Sequence, residues 1–144
     1  MTAHESLFER VQNSFERQGL MFFLGARVEQ VAPGTCVLSL PYSDKVTQQQ
    51  GAFHDGAVGA LADIAAGYAA LTQAPPDMEV VTVEYKINFL AACQGGALRA
   101  TGRVVKAGKR TMVTTAEVLH VAEDGRETTC AILQQTILPV PKTY

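Results

Sequence analysis

The residue whose type and surroundings point most directly to chemistry is Asp63. From Gly56 to Leu71 the chain holds three glycines and seven alanines, and Asp63 is the one charged residue of that run. When the run is drawn as a helix at ~100° per residue, small side chains surround the acid. The residues within roughly 60° of it are Gly56, Gly59, Ala60, Ala66, Gly67 and Ala70. Such a surface lets another backbone or a ligand come close to the carboxylate.

Asp63 has two interpretations from the sequence alone. A buried carboxyl group with no basic partner on its own helix resists ionisation unless hydrogen-bond donors reach it. It could therefore brace a neighbouring loop, or it could be the perturbed acid of an active site.

The start of the same helix supplies a second set of reactive groups. The amide N–H groups of a first helical turn lack partners inside the helix, and the helix dipole favours negative charge near them. In this chain these amides belong to Asp55 and Gly56, which could polarise a carbonyl oxygen. His54 lies directly before them, and a role as helix cap or loop brace is favoured over a catalytic one.

The separation between these two features limits how they can act together. Asp63 follows Asp55 by eight residues, which is ~12 Å along a helix. An acid that far from the amides cannot attack a carbonyl group that those amides hold. Either Asp63 is not catalytic, or a second subunit brings its own Asp63 to the first subunit's helix start, which gives two equivalent sites in a symmetric dimer.

The composition excludes several classes of protein. With 144 residues, 47% of them hydrophobic and 18% charged, the chain suits one compact domain over its whole length. A net charge of −2 offers no basic surface to nucleic acid. The apolar run at 56–71 is too short to span a bilayer and carries an acid, and no signal peptide opens the chain. We therefore expect a cytoplasmic protein that binds neither nucleic acid nor membrane.

The cysteines and histidines favour neither disulfides nor a metal site. Cysteine occurs three times, at widely spaced apolar positions, which is typical of reduced core thiols. The three histidines are equally scattered. The cysteines are Cys36, Cys93 and Cys130, and the histidines are His4, His54 and His120.

Hydrophobic periodicity and turn residues predict two helices and six strands. The predicted ranges are 6–18 for a short helix, 21–30 and 35–40 for a hairpin around Pro33-Gly34, 56–71 for the long helix, and 81–89, 97–106, 110–121 and 126–138 for four strands. The strand at 81–89 alternates apolar residues at odd positions with polar ones at even positions. The long helix is apolar nearly all round, so a sheet must wrap it. This order predicts an α+β hotdog fold, in which a curved antiparallel β-sheet surrounds one long central helix.

Four segments in this order resemble the hotdog-fold acyl-CoA thioesterases of the phenylacetate-pathway (PaaI) group. In that family a His-Gly-Gly turn opens the helix, Leu-Ala-Asp lies two turns later, and a strand ending in Asn-Phe-Leu precedes a basic glycine turn. The matching segments here are His54-Asp55-Gly56, Leu61-Ala62-Asp63, the strand 81–90 and the turn 104–110. The order and spacing of the four segments carry the resemblance, which spans residues 45–138.

Two positions depart from the family pattern. Asp55 stands where the family has glycine, which adds a second carboxylate at the helix start but keeps the backbone N–H. Gln48 stands fifteen residues before Asp63, where the family often has asparagine. Related hotdog thioesterases have glutamine at that position.

The resemblance implies an acyl-CoA thioesterase whose sites lie across the interface of a homodimer, with a homotetramer expected from two such dimers. Asp63 would act as general base for water or as direct nucleophile, and the amides of Asp55 and Gly56 would form the oxyanion hole. Gln48 would contact the carbonyl oxygen or the water, and Thr82 the acid or the water. Each also has a purely structural interpretation: Gln48 as an ordinary loop residue, and Thr82 as a residue that favours β-strands. Coenzyme A is part of the substrate, and no further cofactor is expected.

The substrate-binding residues expected from the resemblance lie in two segments. Lys106, Lys109 and Arg110 flank a glycine turn and would clamp the phosphates of coenzyme A, although such clusters are also common at solvated hairpin tips. Asn88 and Phe89 end the strand 81–89 and would line a channel for the pantetheine arm. A position in the hydrophobic core is an equal alternative for Phe89.

Two other functions remain possible from the sequence. Asp55 and Gln48, the departures from the family pattern, favour a non-catalytic module that binds or senses acyl-CoA. A hotdog enoyl-CoA hydratase would pair the acid with a histidine five residues later, where this chain has Tyr68, a residue expected to pack in the core. For a thioesterase, aryl-acetyl and medium-chain acyl groups are both open, and the resemblance favours the aromatic class.

Overall fold

The computed structural model describes residues 5–144, so His4 lies outside the described residues. Within that range the chain forms three α-helices, one 3₁₀-helix and six strands. The helices are α1 (Leu7–Phe15), α2 (Gly19–Leu24) and α3 (Asp55–Leu71), with the 3₁₀-helix at Asp44–Val46. The strands are β1 (Arg27–Ala32), β2 (Thr35–Pro41), β3 (Met78–Phe89), β4 (Ala97–Ala107), β5 (Met112–Val121) and β6 (Glu127–Pro141). No helix in this part of the chain is long and apolar enough to cross a lipid bilayer.

The six strands form one antiparallel sheet wrapped around α3. The strand order is β1-β2-β4-β5-β6-β3, and α3 packs against every strand from β2 to β6. The predicted hairpin around Pro33-Gly34 is confirmed, because Ala32 pairs with Thr35 across it. The predicted α+β hotdog fold, with a curved sheet around a central helix, is likewise confirmed.

The alanines of α3 allow the helix to lie unusually close to the sheet. Ala62, Ala65 and Ala66 are fully buried. A Cβ atom built on Gly102 of β4 would lie 2.1 Å from the carbonyl oxygen of Ala65. The backbone of α3 therefore rests directly on the backbone of β4, and the depth of the helix in the sheet depends on glycine at this position.

The predictions for the N-terminal region are partly wrong. The first helix ends at Phe15 instead of residue 18, and the first residues of the predicted strand 21–30 belong to α2. Gly25, with φ +84°, ends α2 in the left-handed conformation, which is typical of a helix C-terminus. Strand propensity failed here because the segment does not alternate in burial: Phe22 and Phe23 are both exposed.

The predicted alternation along β3 is interrupted by a β-bulge between Thr82 and Glu84. An extra residue in a strand shifts every later side chain to the opposite face. Paired residues of neighbouring strands lie on the same face of the sheet. Thr82 is paired with the buried Ile137, and beyond the bulge Tyr85 is paired with the buried Gln135, so both face α3. The odd-numbered residues of β3 therefore do not share one face, since Thr82 before the bulge and Tyr85 after it lie on the same one.

Substitution of Gly102 tests the close contact between α3 and β4. We expect Gly102→Ala to lower the free energy of unfolding by about 1–3 kcal/mol, because the added methyl group overlaps the helix backbone. Urea unfolding measures the change. The matched control is Gly19→Ala, whose added Cβ would meet no atom within 4 Å. Equal stability of Gly102→Ala and the wild type would show that the helix does not lie at this depth.

Candidate active site

Asp63 lies half-buried at a small cleft between α1, α3 and β3. The cleft has a volume of about 90 Å³, and its wall includes Ile64, Val80 and Ile137 beside the acid. The Thr82 hydroxyl, on the face of β3 that lies toward α3, donates a hydrogen bond of 2.7 Å to Asp63 Oδ1. No lysine, arginine or histidine among residues 5–144 forms an ion pair with Asp63.

The surroundings of Asp63 change its acidity in two opposing ways. Burial raises the pKa of the Asp63 carboxyl group above its ordinary value, and the hydrogen bond from Thr82 acts in the lowering direction with the smaller effect. A carboxylate whose pKa is raised accepts a proton more readily, as a general base must. The hydrogen bond engages Oδ1, and the other carboxylate oxygen accepts no hydrogen bond from the protein within residues 5–144.

The cleft is also lined by polar residues that the sequence did not identify as site residues. The Tyr68 hydroxyl accepts a hydrogen bond of 2.8 Å from Gln18 and lies 3.0 Å from the Ser14 hydroxyl. The Tyr68 ring packs in the core as predicted, and burial raises the pKa of its hydroxyl to about 12. Ser14 and Gln18 lie four residues apart in the sequence, and that spacing alone does not indicate which element they contact.

His54 caps α3, as expected. Its Nδ1 atom accepts a hydrogen bond of 2.7 Å from the Gly56 N–H, and its carbonyl oxygen accepts from Ala57 and Val58. The expectation that the Gly56 amide is free is therefore not met in this structure. Among the described residues, the Asp55 N–H is the first-turn amide that has no acceptor.

The loop that precedes α3 is held by its own hydrogen bonds. The Gln48 side chain accepts a hydrogen bond from the Gln50 N–H, so its oxygen is directed into its own loop. The Tyr42 hydroxyl donates to the Gly51 carbonyl at 2.5 Å. Phe53 packs between the rings of Tyr42 and His120. These contacts give the helix start a defined position relative to the sheet.

The structure separates the predicted site residues into different parts of one subunit. Asp63 and Thr82 meet in the middle of α3, whereas His54, Asp55 and Gly56 lie at its start. Phe89 follows Thr82 by seven residues along β3 and is paired with Ala131, so it lies roughly 20 Å from Thr82 along the strand and away from Asp63.

The remaining predicted residues lie on exposed edges. Asn88 accepts a hydrogen bond of 2.6 Å from Lys86 on β3. The exposed basic residues Lys106, Lys109 and Arg110 surround the β4–β5 turn, and within residues 5–144 they form no ion pair. This turn directly precedes Met112, which pairs with Ile137 of the Asp63 cleft.

Replacement of Thr82 tests the electrostatics of the cleft. We expect Thr82→Val to raise the pKa of the Asp63 carboxyl group further, because the variant removes the hydrogen bond that lowers it and keeps the side-chain shape. Carboxyl-selective NMR titration measures this pKa. In the control, Thr115→Val on β5, the Asp63 titration stays at its wild-type position. An unchanged or lower pKa in Thr82→Val would contradict the assigned hydrogen bond.

Comparison with known proteins identifies the family of this chain. The model of the thioesterase superfamily matches residues 50–128, more than half of the chain. A curated protein of Saccharolobus solfataricus, named "Putative esterase", is 32% identical over 115 residues, which cover 80% of this chain and 77% of that protein.

Solved structures agree with this assignment. A thioesterase family protein from Silicibacter pomeroyi superposes with a TM-score of 0.91 at 36% identity, covering 95% of this chain and all of that one. The E. coli PaaI protein from the phenylacetic acid degradation operon shares the fold, with a TM-score of 0.83 at 22% identity and 95% coverage of both chains. The chain described here belongs to the thioesterase superfamily.

Proposed function

We propose that this protein is an acyl-CoA thioesterase that hydrolyses a thioester to a carboxylic acid and free coenzyme A. The observation that carries the proposal is Asp63, a half-buried carboxyl group with a raised pKa that Thr82 holds in a cleft. Membership of the thioesterase superfamily supports hydrolysis as the reaction class. The resemblance to the PaaI group supports the acyl-CoA part of the proposal. The three free cysteines support the proposal of a cytoplasmic location.

In the proposed reaction Asp63 and the Asp55 amide act on opposite sides of the thioester carbonyl group. The Asp55 N–H, together with the helix dipole, stabilises the negative charge that develops on the carbonyl oxygen. Asp63 either removes a proton from water as the water oxygen attacks the carbonyl carbon, or attacks it directly to form an anhydride that water then cleaves. In both routes the C–S bond breaks and the sulfur of coenzyme A leaves with the bonding electrons.

Because one straight helix keeps the two groups ~12 Å apart, the proposed site needs a second copy of the chain. The outward surface of α3 near Asp63 is small, with Gly56 exposed and Ala60 half-buried, whereas Ala66 and Ala70 are fully buried within the subunit. Strand β3 is an edge of the sheet. Its exposed apolar residues and those close to it are Val81, Val83, Tyr85, Phe89, Leu90 and Ile132.

An unpaired edge strand with exposed apolar side chains is a ready surface for another chain. We propose a homodimer joined through β3 and the outward surface of α3, in which Asp63 of one subunit faces the Asp55 amide of the other. The homotetramer that the resemblance implies would then consist of two such dimers.

Coenzyme A binding is assigned to exposed basic residues. Lys106, Lys109 and Arg110 have no competing ion pair within residues 5–144, which leaves their charges available to phosphate groups. Asn88 and Phe89 are proposed contacts of the pantetheine arm. Aryl-acetyl and medium-chain acyl groups are the proposed classes of acyl substrate.

The alternative proposal, a module that binds acyl-CoA without hydrolysing it, is favoured by one observation. Gln48 and the Gly56 amide both have partners inside their own loop or helix turn, so neither is free for a substrate in this structure. Tight binding of acyl-CoA without release of thiol, across a panel of acyl groups, would support this alternative.

Substitution of Asp63 is the direct test of hydrolysis. We expect Asp63→Asn to lower kcat ~10²–10⁴-fold, because a general acid or base contributes a factor of that size. The assay follows thiol release from a panel of short, medium, long and aryl acyl-CoAs. Full turnover in Asp63→Asn, with unchanged thermal unfolding, would remove Asp63 from the mechanism.

Hybrid dimers test whether the site is shared. Proline at the first position of a helix removes the N–H with little cost to the helix, and His54 (φ −66°, ψ 135°) has the backbone conformation preferred before proline. We expect the Asp55→Pro and Asp63→Asn homodimers to be nearly inactive. Their hybrid should regain about half of the wild-type turnover, since one of its two symmetry-related sites is intact.

The Asp55→Ala variant accompanies this experiment. It keeps the N–H and removes the carboxylate, so it should lose less activity than Asp55→Pro. A hybrid dimer as inactive as both homodimers would show that Asp63 and the Asp55 amide do not meet across the interface.

A further inference from the structure

Gln135 is a fully buried polar residue in contact with the backbone of Asp63. It lies on β6 beneath α3 with 1% of its surface exposed. Its Nε2 atom donates a hydrogen bond of 3.2 Å to the Asp63 carbonyl oxygen. As a helical carbonyl, that oxygen also accepts from the N–H four residues later, so the bond from Gln135 is additional to the helix's own.

The remaining hydrogen-bonding capacity of Gln135 is unused by the protein. Within residues 5–144, the buried side-chain oxygens with no hydrogen-bond partner are Gln135 Oε1 and Thr114 Oγ1. Thr114 is the pairing partner of Gln135 on β5. A buried polar atom without a partner costs ~1–3 kcal/mol. An apolar residue of similar shape at position 135 would therefore make the fold at least as stable as glutamine does.

The packing of α3 explains what such a residue could supply. Gly102 sets how deeply the helix lies in the sheet, while the larger buried side chains of α3 pack through apolar contacts that are not directional. These side chains are Leu61, Tyr68 and Leu71. A hydrogen bond is directional, and the bond from Gln135 acts at the residue that carries the acid. Asp63 is thus held twice, at its carboxylate by Thr82 and at its carbonyl oxygen by Gln135.

We propose that Gln135 is a positioning residue for hydrolysis, which fixes the rotation of α3 so that the Asp63 carboxylate meets the Thr82 hydroxyl and the substrate. The proposal rests on the thioesterase function proposed above. It assigns the buried amide a role in the placement of the acid and none in the stability of the fold.

The experiment compares Gln135→Met with Thr114→Val. Both variants remove a buried oxygen that lacks a partner and keep the side-chain shape approximately, but only Gln135→Met removes the hydrogen bond to Asp63. We expect both to unfold at or above the wild-type temperature. In Gln135→Met kcat should fall about tenfold or more, because small misplacements of a reacting group are costly, while KM stays within about twofold. Thr114→Val should keep the wild-type kcat.

A structural readout separates failure of this inference from failure of the proposed function. In crystal structures we expect the 2.7 Å bond between Thr82 and Asp63 to be lost or longer in Gln135→Met and unchanged in Thr114→Val. That comparison holds even if the wild type hydrolyses no thioester, which would overturn the proposed function alone.

Three results would overturn the positioning role itself. The first is an unchanged bond between Thr82 and Asp63 in Gln135→Met. The second is a wild-type kcat in an active Gln135→Met enzyme. The third is a fall in kcat that is accompanied by a matching loss of stability. Gln135→Leu is a second apolar variant, and it should show the same fall in kcat without a loss of stability.

Discussion

The packing of α3 on the sheet is the interaction on which the rest of the structure depends. Small residues on the helix and Gly102 on β4 let two backbones touch, and five strands can then surround one helix. Other small residues of the helix, Gly56 and Ala60, leave space on the outward surface, where Asp63 lies half-buried beside a cleft. Close packing on one side and an open approach on the other therefore follow from a single choice of residue size.

The rigidity of this helix also determines how the chemistry must be arranged. An α-helix keeps its residues at fixed distances, so the acid and the first-turn amides cannot converge within one chain. In the proposed mechanism, hydrolysis by these groups therefore requires a symmetric partner, and the exposed apolar edge at β3 is the surface proposed for it. In this account, assembly and activity depend on the same helix, and a change that moves α3 should affect both.

Much of the fold could be predicted because local signals were strong. Glycines, prolines and an uninterrupted apolar run defined α3 and the turns, and these features depend little on tertiary context. The β3 bulge could not be predicted, since the residues from Val81 to Phe89 alternate without a break in sequence, and only pairing with β6 reveals the extra residue. The helix at Gly19–Leu24 was missed because its aromatic residues favour strands, although Gly25 was a usable stop signal.

The candidate acid could be identified from the sequence, but its surroundings could not. Asp63 stood out as the one charge in a run of small residues, and a cap at His54 follows from its place before the helix. Gln135, Ser14 and Gln18 reach the acid or its cleft only through tertiary packing, and nothing in their own segments distinguishes them from other polar residues. The hydrogen bond that occupies the Gly56 amide is also a matter of side-chain geometry.

The central claim is that an acid from one subunit and an amide from another act on the same thioester. A crystal structure of the dimer with an acyl-CoA analogue whose thioester is replaced by an uncleavable ketone tests this most directly. The account predicts the analogue's carbonyl oxygen at ~3 Å from the Asp55 nitrogen, with the Asp63 carboxylate of the other subunit facing the carbonyl carbon. An analogue bound with both groups from one chain, or with Asp63 remote from its carbonyl carbon, would contradict it.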